Sequence, residues 1–292
     1  MEQNFVKKGS VFVQVAKLVA YFLIYQFVFM MLGQVGAYFA YSQYVEPVAY
    51  EAFREQPTTQ MLEYAAGGMS VGLLLSGVAM IAHLLFFKYV RIRRGFFSEV
   101  GRGVLFLSIA FIMCMMVVFN IVAVWLGLEN NLQSEMELML GSRIGVVSVA
   151  FVAPLLEELL FRGAIQGALM RYFKSPWVGI VLAALLFGVI HLNPIQVFYA
   201  TCLGIVFGWV YYRTGSLLPA ILGHIINNSL AVISTVALGS ANELEMVTGE
   251  TGVTGEAFMV VSFALVALLL GLLINSRQPS VPSPWHEVSE VI

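Results

Sequence analysis

The chain has 292 residues, 60% of them hydrophobic and only 11% charged, with a formal net charge of −2. A soluble domain of this length carries about twice that charged fraction, and so even a balance gives no bulk argument for binding nucleic acid. The apolar residues come in long runs, so the solvent for most of the chain is lipid.

In chain order, eight spanning helices are expected, at about 11–41, 66–88, 103–127, 143–171, 176–192, 194–212, 216–238 and 257–276. Each covers, or nearly covers, a hydrocarbon core of roughly 30 Å at 1.5 Å per residue. Helices are forced because lipid offers no partner for backbone N–H and C=O groups. The first run is too long for a signal-peptide core and is kept as a span. Pro176, Pro194 and Ser216 stand where helix starts belong. The fold class is therefore all-α, a polytopic membrane protein. Spans one to three fill 1–142, a core of spans four to seven fills 143–238, and a loop with span eight fills 239–276. The Pro/Ser-rich stretch 277–292 reads as a disordered tail, and it lacks a terminal cysteine box for prenylation.

Loop charges set the orientation. Lys7, Lys8, Lys88, Arg91, Arg93, Arg94, Arg102, Arg171, Lys174, Arg213 and Arg277 fall on one side of the alternation. The other side holds Arg54, Arg143 and many glutamates, among them Glu46, Glu51, Glu55, Glu129, Glu243 and Glu250. This places both termini in the cytoplasm and the chain in the plasma membrane, with the bilayer as its main partner. The basic loop around Arg91–Arg94 enforces that topology or binds anionic lipid heads. Cys114 and Cys202 lie in apolar runs and read as packing residues.

Ionisable groups inside spans are expensive and therefore informative. Span four carries Glu157-Glu158-Leu159-Leu160-Phe161-Arg162. Glu158 and Arg162 are four apart on one helical face and can neutralise each other. Glu157 points about 100° away from that face and has no partner on its own helix; such a carboxylate can act as a general base. Span five ends in Phe187-Gly188-Val189-Ile190-His191, and span seven holds His224-Ile225-Ile226-Asn227-Asn228. His224 and Asn228 again share a face. Two histidines, a spare glutamate and an asparagine from three helices can converge on one polar centre, position a water and stabilise an oxyanion. Asn227 reads as a helix-to-helix hydrogen bonder, and no role is assigned to His83.

At these residues the chain resembles the CPBP intramembrane proteases, the family that includes the type II CAAX prenyl endopeptidases. Glu157, Glu158 and Arg162 meet the pattern EExxxR, Phe187 and His191 meet FxxxH, and His224 and Asn228 meet HxxxN, in order and each within a span. The likeness covers about 143–230. It implies an intramembrane endopeptidase in which Glu157 and His191 activate water, His224 and Asn228 hold the oxyanion, and Glu158 and Arg162 support them. The implied substrate is a membrane protein or a lipidated peptide of the prenylated CAAX type. No cofactor is expected, although the resemblance leaves open zinc or another divalent metal on Glu157, His191 and His224.

Other intramembrane protease classes do not fit. All 17 acidic residues are glutamate, so an aspartyl pair is excluded. Gly67-Gly68-Met69-Ser70-Val71 is not the GxSG of the rhomboid type, and no HExxH occurs on any helix. Two competing readings are a non-catalytic bacteriocin-immunity or regulatory protein and a proton-coupled transporter. Transporters often carry internal repeats, and none is visible.

Overall fold

A computed structural model describes residues 8–90, 100–238 and 252–277. The expected roles of Arg91–Arg94, of Glu243 and Glu250, and of the tail after 277 lie outside the described residues. Among the described residues the regular structure is all helix, joined by short loops. We number the helices α1 (Lys8–Tyr44), α2 (Tyr50–Glu55), α3 (Thr59–Phe86), α4 (Arg102–Trp125), α5 (Gln133–Leu140), α6 (Arg143–Phe173), α7 (Pro176–Val189), α8 (Pro194–Thr214), α9 (Leu218–Leu238) and α10 (Gly252–Arg277). Seven of them, α1, α3, α4, α6, α8, α9 and α10, are long and apolar enough to cross a membrane. This is a multi-pass membrane protein. Its outer faces agree: Phe12, Leu23, Phe27 and Phe39 of α1, and Val261, Leu265, Leu268 and Leu272 of α10, are exposed. In water such a belt would drive aggregation; in lipid it is solvated.

The expected fifth span is the exception. α7 has 14 residues, ending at Val189, and so rises only about 21 Å, short of a hydrocarbon core. The apolar run continues to Ile190, but the chain has to turn before Asn193-Pro194. A residue preceding proline is pushed out of the helical region, and Asn193 has φ −111° and ψ 121°. Leu192 completes the turn at φ +57°. Two short helices, α2 and α5, occupy loops for which no helix was expected.

Small residues set how closely the helices approach. On α3, a Cβ at Gly68 would collide with the Gly33 carbonyl of α1, and one at Gly72 would lie 2.5 Å from the Phe29 carbonyl oxygen. α7 and α8 form an antiparallel hairpin in which Gly188 meets Val197 and Thr201, Ala184 meets Gly204, and Ile180 meets Gly208. Ser175 caps α7, accepting from Val178 N–H at 3.5 Å ahead of Pro176. Gly215, at φ +68°, ends α8. α6 runs through the middle of the bundle. Leu156, Leu160, Phe161, Ile165 and Leu169 are buried on it, packed with Leu18, Leu84, Ala183, Phe187 and Ile221 of the surrounding helices.

Candidate active site

α6 is not a regular α-helix. Ser148–Val152 and Glu158–Gln166 are wound as π-helix, with α-helix over Ala153–Glu157 between them. Such segments cluster at functional sites, and here the first has a local cause. Ala153 N–H bonds to the Ser148 carbonyl, five residues back. The next donor in that register is Pro154, which has no N–H. The Val149 carbonyl that it would have met accepts instead from Asn228 Nδ2 at 2.9 Å. One face of α6 thus fastens α9 through the backbone group that proline leaves open.

The Glu158–Arg162 pair forms as expected, Nη1 to Oε1 at 3.0 Å, with both side chains essentially sealed. Arg162 also donates to the Gly204 carbonyl at 3.3 Å, and its guanidinium lies 4.5 Å from the Phe187 ring centroid and 5.4 Å from that of Phe207. Glu158 has a second partner that the helical spacing did not reveal: its Oε1 is 2.9 Å from His224 Nδ1. His224 Nε2 faces Glu157 Oε2 at 3.5 Å. Both ring nitrogens of His224 therefore look at carboxylates, while Phe207 stacks on the ring at 5.0 Å and Phe187 meets it edge-on at 5.8 Å.

His191 arrives from the turn after α7. Its Nδ1 is 2.8 Å from the Phe187 carbonyl. That bond needs a hydrogen on Nδ1 and leaves Nε2 as an acceptor. The turn is itself anchored: buried Asn193 donates from Nδ2 to Asn130 Oδ1 at 2.8 Å and accepts from Asn131 N–H at 3.3 Å. On α9, Asn228 Oδ1 accepts from Asn227 Nδ2 at 3.0 Å, and Asn227 Oδ1 accepts from Tyr199 O–H at 2.8 Å. Asn227 thus links α8 to α9.

Glu157, His191, His224 and Asn228 all line one cavity of about 530 Å³. Glu158 and Arg162 lie behind it, out of solvent. The expected convergence of spans four, five and seven is therefore observed. A metal on Glu157, His191 and His224 was left open by the resemblance; among the described residues no three His, Cys or Glu side chains gather as ligands. Nδ1 of His224 is held by Glu158 and Nδ1 of His191 by the Phe187 carbonyl, contacts that orient an imidazole for proton transfer or for ligation alike. His83 lies apart, 3.2 Å from Tyr25 O–H and ringed by Tyr21, Phe87 and Tyr89. Gln166 was among the residues missed. Gln166 is fully buried and donates to the Gly208 carbonyl at 3.0 Å. Its signal was present, since Glu158, Arg162 and Gln166 recur every fourth residue.

Comparison with known proteins fits this geometry. Residues 140–230 match the model of the Rce1-like family, described as type II CAAX prenyl endopeptidase Rce1-like. Over this stretch the chain is similar to the CPBP proteases. The matched stretch holds every side chain of the cavity's polar centre, from Glu157 to Asn228. A relative from Bacillus subtilis (strain 168), named "Putative membrane peptidase YdiL", is 25% identical over 192 residues, which cover 61% of this chain and 75% of the relative. No solved structure matches the chain.

Proposed function

We propose that this protein is an intramembrane endopeptidase that hydrolyses a peptide bond in a membrane-associated substrate, by a metal-free route. The observation that carries the reading is the shared cavity of Glu157, His191, His224 and Asn228, set among apolar helices. A water in it donates one hydrogen bond to the Glu157 carboxylate and the other to His191 Nε2. As the oxygen attacks the peptide carbonyl carbon, Glu157 takes the proton. The carbonyl becomes an oxyanion, held by the second Nδ2 hydrogen of Asn228 and by Nε2–H of His224, whose ring in this step carries a hydrogen on each nitrogen and donates the other to Glu158. The 3.5 Å from that nitrogen to Glu157 is long for a hydrogen bond, which leaves the N–H able to turn toward the substrate. Collapse breaks the C–N bond, and Glu157 returns its proton to the departing amine. Glu158 orients His224 through Nδ1, and Arg162 balances the charge of Glu158. Prenylated CAAX-type tails and other membrane peptides are the substrates to test.

The experiment compares the purified protein with Glu157→Gln on a prenylated C-terminal peptide and on a panel of membrane peptides. Loss of a general base costs roughly 10²- to 10⁴-fold in rate. Equal cleavage by the two proteins would refute the assignment.

A further inference from the structure

Six carboxamide side chains line the same cavity: Gln26 from α1, Asn120 from α4, Asn130 from the loop after α4, Gln196 from α8, and Asn227 and Asn228 from α9. Most of the remaining lining is Leu, Val, Met, Ala and Ile, and among the described residues it contains no lysine or arginine. Part of this polar set joins helices, as buried Asn and Gln do in membranes. Asn228 holds Val149, Asn227 holds Tyr199, and Gln26 Oε1 accepts from Ser76 at 3.4 Å. Those contacts do not exhaust it. A carboxamide has two donors and two acceptor lone pairs, and each of these bonds uses one of them. Gln196 has no hydrogen-bond partner among the described residues and borders the cavity.

A carboxamide presents the same groups as a peptide unit, a carbonyl and an N–H in one plane. A substrate backbone in the bilayer must leave its helix before its carbonyl can be attacked. Each residue so unwound exposes an N–H and a C=O that lipid cannot satisfy. Carboxamides drawn from four helices and a loop supply both functions without adding charge. A free terminal carboxylate, by contrast, would meet Glu157 and no lysine or arginine there.

We propose that the cavity receives an unwound, internal stretch of peptide main chain, recognised through its amide groups by Gln26, Asn120, Asn130, Gln196 and Asn227. Its side chains are apolar and lie against Met136, Leu203 and Val232, which border the same space. The proposal rests on the endopeptidase reading and narrows its substrate to an interior segment rather than a carboxyl-terminal tail.

The test uses the full chain in nanodiscs and one apolar 14-residue peptide, acetylated and amidated, with a single N-methyl group moved along its backbone. Two quantities are read: kcat/KM with the wild-type protein and binding affinity with Glu157→Gln. N-methylation at two or more positions is expected to lower both by roughly two- to tenfold each, the range for one hydrogen bond. Gln196→Leu should abolish the sensitivity at one position, and Gln196→Asn should restore part of it. Replacing the amidated end by a carboxylate three residues beyond the cleaved bond should bring no gain. Indifference to N-methylation at every position, or a tenfold preference for the free carboxylate, overturns the proposal even where Glu157-dependent cleavage persists. Binding that is sensitive to N-methylation without Glu157-dependent cleavage upholds the recognition and removes the protease reading.

Discussion

The Glu158–Arg162 pair invites a double-mutant cycle. Its side chains are 0% and 1% exposed, 3.0 Å apart. Removing one partner of a buried pair strands the other charge and costs about 3–5 kcal/mol. Arg162→Met also gives up the contacts of the guanidinium with Phe187 and Phe207, worth roughly another 1–2 kcal/mol when desolvated. Glu158→Leu leaves the cation of Arg162 uncompensated at a similar 3–5 kcal/mol. The double variant carries neither charge. Beyond the lost ring contacts of Arg162, its remaining defect is His224 Nδ1, which loses its carboxylate partner, an unsatisfied donor worth about 1–3 kcal/mol. Apart from the ring contacts, which the Arg162→Met and double variants lose alike, the two single losses together come to about 6–10 kcal/mol, so the coupling should be at least about 3 kcal/mol in favour of the double variant. The measurement is unfolding by SDS titration in mixed micelles for all four proteins. Activity should stay low in the double variant even where stability returns, because His224 has lost its orienting carboxylate. Additive losses, or Arg162→Met costing under 1 kcal/mol, would show that the pair is not buried as described.

Two further outcomes are expected. Asn228→Ala should lower kcat roughly 10²- to 10³-fold, as loss of an oxyanion donor does, read from progress curves at saturating peptide. It should also cost about 1 kcal/mol of stability for the Val149 bond. Gly208→Ala puts a Cβ 2.6 Å from Gln166 Oε1. Overpacking of this kind costs about 1–3 kcal/mol, and Gln166→Ala in the same chain should recover most of it in the same SDS titration.

Much of the site was legible because its members are rare in lipid. A carboxylate, a guanidinium or an imidazole in an apolar run stands out by cost alone, and four-residue spacing gives the face. Hence Glu157, Glu158, Arg162, His191, His224 and Asn228 could be gathered from three helices before any fold was in hand. The winding of α6 was not legible. A π turn adds one residue without changing composition, and only Pro154 hints at it, through the missing N–H. The second role of Glu158 was hidden for another reason: an ion pair complete within one helix looks self-sufficient, and the claim of His224 on the same oxygen is a tertiary fact. Gln26, Asn120 and Gln196 passed unnoticed because neutral amides are far cheaper in a span than charges. α7 was read too long because hydropathy does not register a turn until the proline that follows it.

The partners of α6 have a bearing on how the chain is made. Within α6 Glu158 and Arg162 satisfy each other in part; Arg162 and Gln166 wait for carbonyls 42 residues later, Glu158 waits 66 residues for His224, and Val149 waits 79 for Asn228. A charged residue at the centre of a newly inserted helix costs about 2.5–3.5 kcal/mol in the translocon, so this helix is poorly soluble in the bilayer until α8 and α9 emerge. The stretch from α6 to α9 must therefore leave the insertion machinery as one cooperative parcel, and a ribosome stalled before α9 would hold out a helix that the membrane does not readily accept.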